Sequence, residues 1–541
     1  MGTISLEPKA PARLQLMSRG TLDSAVASGI FLVCLAYLCL FLRYTTLEPD
    51  EGIVLQGAER ILRGEIPYRD FFSFYTPGSF YLISIVFRLF GDSFVIARFS
   101  LAVAGAICSV IAYLLARRVC SRGVSIFIAL LATTVGAGFR FLVLHNPYST
   151  LLCCMALYAA VRLFETDFRW WAFATGFFTS LAFLFEQSKG AGLTLGFALA
   201  ILLLKKPAHR SIWTAIVLGF ALPLLLTLGY FAIHHAFGAM LSDWIWPLRH
   251  YTQANHVPYG WQNWSDNTRK TLFHAGPLWI RAVKALAIFP VFVIPALPLL
   301  PAGILAYLGR RSKYNAQNRT YYILVSSTLV GLLGSVVSVR ADILHFIYLA
   351  PLWYLVLAWV LGSRDFPSAT LLATQPRLMS LMVVTFGILS LALLFTATSA
   401  RVFVETRRGV VRTKAQDSAI AYIQSHVPAG NYLLVYPYLP LYNYLTATRS
   451  PSRYDYFQPG MNTPSQAKEI IDSLASHKAP VLFEPWFAEK FANSWPDTPA
   501  SAIARDPVAD YIIRNYRLCA MLTSPEGWRF HYMVSRDVIC P

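Results

Sequence analysis

The sequence predicts a mainly α, polytopic membrane protein of about eleven membrane-crossing helices, followed by a small C-terminal α/β domain. Three observations carry this. Of 541 residues, 56% are hydrophobic and 14% aromatic, with a mean hydropathy of +0.49, more apolar surface than a soluble core needs. Apolar runs long enough for roughly 30 Å of hydrocarbon recur as far as about residue 400. Beyond Ala400 the pattern shortens into alternating helix and strand periods.

The runs lie near 22–43, 94–116, 124–141, 148–164, 169–186, 190–204, 211–234, 285–308, 320–339, 343–362 and 379–399. Alternate connections between them carry Lys9, Arg13 and Arg19; Arg117, Arg118 and Arg122; Arg162 and Arg169; Lys205, Lys206 and Arg210; Arg310, Arg311, Lys313 and Arg319; Arg364 and Arg377. That face holds about seventeen basic residues against about four acids, the bias of a cytoplasmic side. Three parts follow: a cytoplasmic N-terminal segment, 1–21; a membrane domain, 22–400, with outer loops 44–93 and 235–284; and an extracytoplasmic domain, 401–541. The first run exceeds a signal-peptide core and no small-residue cleavage site follows it, so it reads as a retained anchor. Compact loops and the lack of organelle signals favour a bacterial inner membrane, with the C-terminal domain in the periplasm. The net charge of +18 sits in short clusters between spans, with no RNA-binding motif, which argues against nucleic acid.

In the tail, TKAQDSAIAYIQSHV, PSQAKEIIDSLASH and DPVADYIIRNY read as helices, and YLLVYPY, APVLFEP and WRFHYMV as strands. Six cysteines fall in or at the end of apolar runs and read as small buried hydrophobes. Cys519 and Cys540 lie in the tail, where a disulfide is open. No Cys/His zinc spacing occurs.

The first outer loop, LEPDEGIVLQGAERILRGEIPYRDFF, is a dense block of charge beside the membrane. Val54, Ala58, Ile61 and Leu62 form one stripe, so the segment after Pro49 reads as an amphipathic helix on the outer surface, ended by Gly64 and Pro67. One reading makes Asp50 the cap of this helix and Glu51 a dipole partner. The other makes one carboxylate a general base above the bilayer. Glu59 and Arg63 read as an i,i+4 pair on a solvated face. Asp70, after Tyr68 and Arg69, is a second candidate acid.

Other polar residues mark the same level: His145 and Asn146 in LHNPY, Glu186 and Lys189 in FEQSKGAG, and Arg340, Asp342 and His345 in VRADILHF. Singly, each suits a boundary residue reaching for headgroups. Together they put cations and donors at one depth, as a phosphate leaving group requires where water is scarce. The aromatics of 235–284 (DWIWPLRHY, VPYGWQNW) suit an interfacial belt or a platform for sugar faces.

The order of these features, a first span, PDEG with a helix, RGEIPYRDFFSFYTPGSFYL, then GDSFVIARF opening the second span, resembles the GT-C superfamily of membrane glycosyltransferases. That group includes the protein O-mannosyltransferases and the lipid A aminoarabinose transferases. The resemblance spans about 22–400, most clearly 47–120, and SPSRYDYFQPGMNTP resembles the outer domain of bacterial members. It implies transfer of a sugar from a polyprenyl-phosphate donor to an acceptor hydroxyl, by an inverting single displacement on the non-cytoplasmic face. The resemblance places the acceptor's acid at Asp50, with Glu51 beside it. Arg340, His345 and Lys189 are expected to hold the donor phosphate, and Tyr68, Arg69, His145, Asn146, Glu186 and Asp342 to line the substrates. The chain has PDEG and no DxD triplet, so no cofactor is expected and a divalent cation is left open. A polysaccharide ligase or polymerase, a lipid-linked sugar transporter and a silent scaffold are the alternatives.

Overall fold

The computed structural model describes residues 12–204, 209–251, 256–262, 270, 274–310, 316–363, 365–366, 376–458, 461–486 and 506–541. Lys9, Lys205, Lys206, Arg311, Lys313, Arg364 and Trp264, used above, lie outside them.

Every predicted apolar run is helical where described, and the chain is a multi-pass membrane protein. Among the described residues, eight helices are long and apolar enough to cross a bilayer: Thr21–Cys39, Phe94–Ala116, His145–Thr166, Gln187–Leu204, Arg210–Ile233, Leu278–Leu308, Asn318–Val339 and Met379–Ser399. The three other predicted spans fall short of that length: Arg122–Gly138, Arg169–Phe185 and Ala350–Gly362. Gly192 and Gly196 pack on the backbone of Gly331 and Thr328, the small-residue contact that lets membrane helices approach closely.

The PDEG helix departs from the expectation. Pro49–Leu62 does not lie on a surface; it is buried from Glu51 to Arg60, between the bundle and the C-terminal domain. Gly52 makes this possible, because a Cβ there would overlap the backbone of Leu441. Glu59 and Arg63 are accordingly not a solvated pair: Glu59 is buried, 3.8 Å from Arg63, and ion-paired with Arg408 of the tail. The following Gly78–Phe90 helix turns Ile85, Leu89 and Phe90 outward, an apolar edge suited to lipid.

Glu51 and Arg98 are both buried and form a two-pronged ion pair, Arg98 Nε to Oε1 at 2.9 Å and an Arg98 terminal nitrogen to Oε2 at 2.6 Å. Glu51 also accepts from the Val143 amide at 3.0 Å, and Arg98 donates to the carbonyls of Phe41 and Tyr44. One pair thus joins the end of the first span, the PDEG helix, the helix Phe94–Ala116 and the segment 141–144.

The tail carries a hairpin, β1 (Val402–Thr406) with β2 (Gly409–Thr413), and a four-stranded sheet. Its strands are β3 (Leu434–Tyr436), β4 (Val481–Phe483), β5 (Tyr516–Thr523) and β6 (Arg529–Ser535), ordered β3-β4-β6-β5. β3 and β4 are parallel, joined through Pro464–His477, whose Thr463 and Gln466 form a capping box. β6 runs antiparallel to β4 and β5. The hairpin and β5 were not expected: RLCAMLT follows a helix with no turn residue to mark the change of period. Cys519 and Cys540 are disulfide-bonded.

Two outcomes follow. Arg98→Ala leaves Glu51 buried and unpaired, a loss of about 3–5 kcal/mol, whereas Glu51→Gln with Arg98→Met recovers much of it; thermal unfolding in detergent measures both. Separately, Asp417 caps Ser418–His426 and accepts from the Tyr442 hydroxyl at 2.8 Å, but burial pushes its carboxyl up to about 6. A carboxyl raised above its unfolded value of about 3.9 stabilises fully below that value and less as pH climbs through the folded one. Wild-type unfolding temperature should therefore fall from about pH 4 to 6.5 in a way that Asp417→Asn flattens. Parallel profiles for the two proteins would refute this.

Candidate active site

A cavity of about 560 Å³ opens between one end of the helix bundle and the C-terminal domain. Seven of the predicted residues line it: Asp50, His145, Asn146, Glu186, Arg340, Asp342 and His345. They come from four separate connections, so the fold gathers what the chain disperses.

Asp50 is in the first turn of the PDEG helix but does not cap it. The N-cap is Glu48, with no side-chain cap bond. Successive helical residues point about 100° apart. With Glu51 turned inward to Arg98, Asp50 faces the cavity, where Oδ2 accepts from Arg140 at 3.0 Å. Glu48 lies 4.0 Å from the same guanidinium. Burial raises the Glu48 carboxyl, Arg140 lowers it and Asp50 raises it, with a net upward displacement. Arg140 follows a π-helical turn, Thr133–Gly138, and its guanidinium also sits over Tyr348, 5.8 Å from the ring centre.

The opposite wall is built on Asp342. Its Oδ2 accepts from Arg340 Nε at 2.7 Å, and its Oδ1 accepts from the His345 amide at 3.0 Å and meets His345 Nδ1 at 2.7 Å. Burial pushes the Asp342 carboxyl up, but His345 and Arg340 outweigh it and hold it well below the usual range. An ionised carboxylate keeps the proton on Nδ1, which leaves Nε2 as the second working atom of that ring. Trp261 covers Arg340 at 5.4 Å, and its loop is tied down by Ile343 N to Trp261 O at 2.9 Å.

Other predicted residues are placed elsewhere. Glu51 is spent on Arg98 and lines nothing. Lys189 lies behind the wall: it is buried, 2.9 Å from Glu186 Oε2, and donates to Asn146 O, Ser149 Oγ and Thr150 Oγ1. Its charge holds Glu186 and Asn146 in position. Asp70, Arg69 and Tyr68 form a separate turn. Arg69 grips both oxygens of Asp70 at 2.9 and 2.8 Å, holding that carboxyl below its usual range. Tyr68 is buried and donates to Tyr75 O at 2.9 Å.

Sequence reading missed Glu48, Arg140, Tyr75, Thr76, Tyr348, Tyr438 and Tyr456, all in the cavity wall. Arg140 had a usable signal, an arginine ending an apolar run on the side where basic residues are scarce. Tyr438 and Tyr456 had none, because only tertiary contact brings the tail here. His145 Nδ1 and Thr76 Oγ1 are buried without a hydrogen-bond partner among the described residues. No three carboxylate, imidazole or thiol groups converge among the described residues. The two floor carboxylates share Arg140, and no third ligand of these types joins them among the described residues.

A family model described as dolichyl-phosphate-mannose-protein mannosyltransferase matches residues 75–233. No curated protein sequence matches the chain. Among solved structures, ArnT from Cupriavidus metallidurans bound to undecaprenyl phosphate is similar at 13% identity and a TM-score of 0.53, over 97% of this chain and 99% of that one. The apo form of the same protein is similar at 15% identity and a TM-score of 0.48, over 96% and 98%. The resemblance to GT-C membrane glycosyltransferases therefore has a sequence match in one segment and a shared fold along almost the whole chain.

Removing Arg140 gives a test of the floor. Arg140→Gln deletes the group that lowers Glu48, so the Glu48 carboxyl should protonate at higher pH than in wild type. Infrared difference spectroscopy of the protonated-carboxyl band, with Glu48→Gln as the assignment control, measures it; an unmoved band would remove Arg140 from the floor's electrostatics.

Proposed function

We propose that this protein transfers a sugar from a polyprenyl-phosphate donor to an acceptor hydroxyl at the extracytoplasmic face of a bacterial inner membrane. The observation that carries it is one cavity with a carboxylate floor, Asp50, and a facing wall of the Arg340 guanidinium and the His345 ring, each fixed by its own partners. The lipid phosphate bound by the structurally similar ArnT supports the donor class.

In this reading Asp50 takes the proton of the acceptor hydroxyl. The acceptor oxygen bonds to the anomeric carbon as the bond to the phosphate oxygen breaks, and the anomeric configuration inverts. Polyprenyl phosphate leaves with the electron pair, its charge met by Arg340. A positioned base contributes about 10²- to 10⁴-fold, and preorganised cations at the departing oxygen a term of similar size. Asp342 is a positioning residue, and so is Lys189 through Glu186.

Sidedness is supported by two features. Arg117, Arg118, Arg122, Arg162, Arg169 and Arg210 lie at span ends away from the cavity, as cytoplasmic residues would. The Cys519–Cys540 disulfide suits an oxidising compartment.

Purified protein with a labelled polyprenyl-phosphate sugar and fractionated envelope lipids, glycans and proteins should release lipid phosphate only when an acceptor is present. The labelled product identifies the acceptor, and with it separates a ligase or polymerase from a lipid-modifying enzyme. Passage of donor across a bilayer without phosphate release would favour a transporter instead. Asp50→Asn should lower turnover by at least about 10²-fold with unfolding temperature kept. Arg340→Ala should chiefly raise the donor KM. Near-normal turnover in the first, or an unchanged KM in the second, would take that residue out of the scheme.

A further inference from the structure

A second cavity, of about 620 Å³, lies at the other end of the bundle and has no part in the transfer scheme. His145–Thr166 runs between the two cavities: Asn146 lines the first, Leu163 and Phe164 the second. At 1.5 Å per residue they are about 25 Å apart, close to the thickness of bilayer hydrocarbon. The two openings therefore belong to opposite membrane surfaces.

Its shape comes from a tight helix crossing. Gly176 sits against the backbone of Ile216 and Phe220, and Gly219 against that of Phe173 and Phe177. Arg169–Phe185 and Arg210–Ile233 touch there backbone to backbone, and both begin at the rim of this cavity. From the crossing back to their starts, a space remains that Ile201 and Leu204 of Gln187–Leu204 help to enclose. Its interior is apolar and its mouth is polar. Arg169 and His209 stand at the mouth, both exposed, and Trp213, 40% exposed, lines it too. Glu165 is taken by Arg118 and Arg162, which leaves Arg169 out of the ion pairs among the described residues. Among the described residues Asp167 is the one acid in the lining, set against Arg169 and the adjacent Arg210.

We propose that this cavity is a binding site for an anionic phospholipid of that leaflet, with an acyl chain inside and the phosphate at Arg169 and His209. Basic pockets between spans take anionic headgroups, and a tryptophan at the mouth matches the interfacial depth of such a group. Two helices that begin at this rim without a side-chain cap add the positive ends of their dipoles. The site is independent of the transfer reaction and would tie the bundle to the leaflet opposite its active site.

The test uses the delipidated full-length protein, titrated with phosphatidylglycerol and, separately, with phosphatidylcholine of the same chains. Thermal unfolding and native mass spectrometry are the readouts. Wild type should bind one phosphatidylglycerol and be stabilised at a concentration about tenfold below that needed for phosphatidylcholine, a difference of about 1.4 kcal/mol. Arg169→Gln with His209→Gln should remove this preference, and Ile201→Trp should block the adduct of either lipid. Equal responses of wild type to both lipids, or an undiminished preference in the double variant, overturn the proposal. So does tighter binding of polyprenyl phosphate, which would reassign the cavity to the carrier lipid. If Ile201→Trp fails to fold, the double variant, changed only at exposed positions, decides.

Discussion

The buried pairing of Glu51 with Arg98 is the constraint on which the rest of the cavity end depends. Two charges without water are tolerable only because each is fully engaged: Glu51 by a guanidinium and an amide, Arg98 by a carboxylate and two carbonyls. The pair fixes the rotation of the PDEG helix about its axis. Because the neighbouring residue must then point elsewhere, Asp50 is turned to the cavity as a consequence. A structural acid and a candidate base are thus adjacent in the chain and divided by helical geometry.

The C-terminal domain completes this arrangement from the other side. Arg60, buried in the PDEG helix, donates to Ser452 O at 3.1 Å and to Asp455 at 3.0 Å, while Arg408 reaches back to Glu59 and Asp92. Gly52 lets Leu441 come against the helix backbone. The same domain supplies Tyr438 and Tyr456 to the cavity wall. It is therefore a wall of the site and a clamp on the helix that carries Asp50, and displacing it would disturb both.

The two ends of the bundle use charge differently. At the cavity end nearly every ionic group is paired: Asp50 and Glu48 with Arg140, Asp342 with Arg340 and His345, Glu186 with Lys189. Such pairing holds geometry against a changing substrate charge and spares the apolar surroundings an isolated ion. At the other end Arg169 stands outside the local ion pairs, beside apolar space. The first arrangement suits chemistry, and the second suits a lipid headgroup that brings its own negative charge.

The sequence by itself determined the bundle, the tail's mixed helix and strand character and the level at which the polar tips meet. These rest on hydrophobic runs, short-range periodicity and charge counts, each a property of neighbouring residues. Asp50, Arg340 and His345 became candidates through the charge set beside the spans and through the resemblance of the first outer loop to membrane glycosyltransferases. Only the tertiary structure decided that Glu51 is structural, that Lys189 works from behind Glu186, that Asp70 belongs to another turn, and that Arg140 and two tail tyrosines share the cavity. Those outcomes turn on which way a helix is rotated and on what packs against it across hundreds of residues. A local pattern carries no record of either.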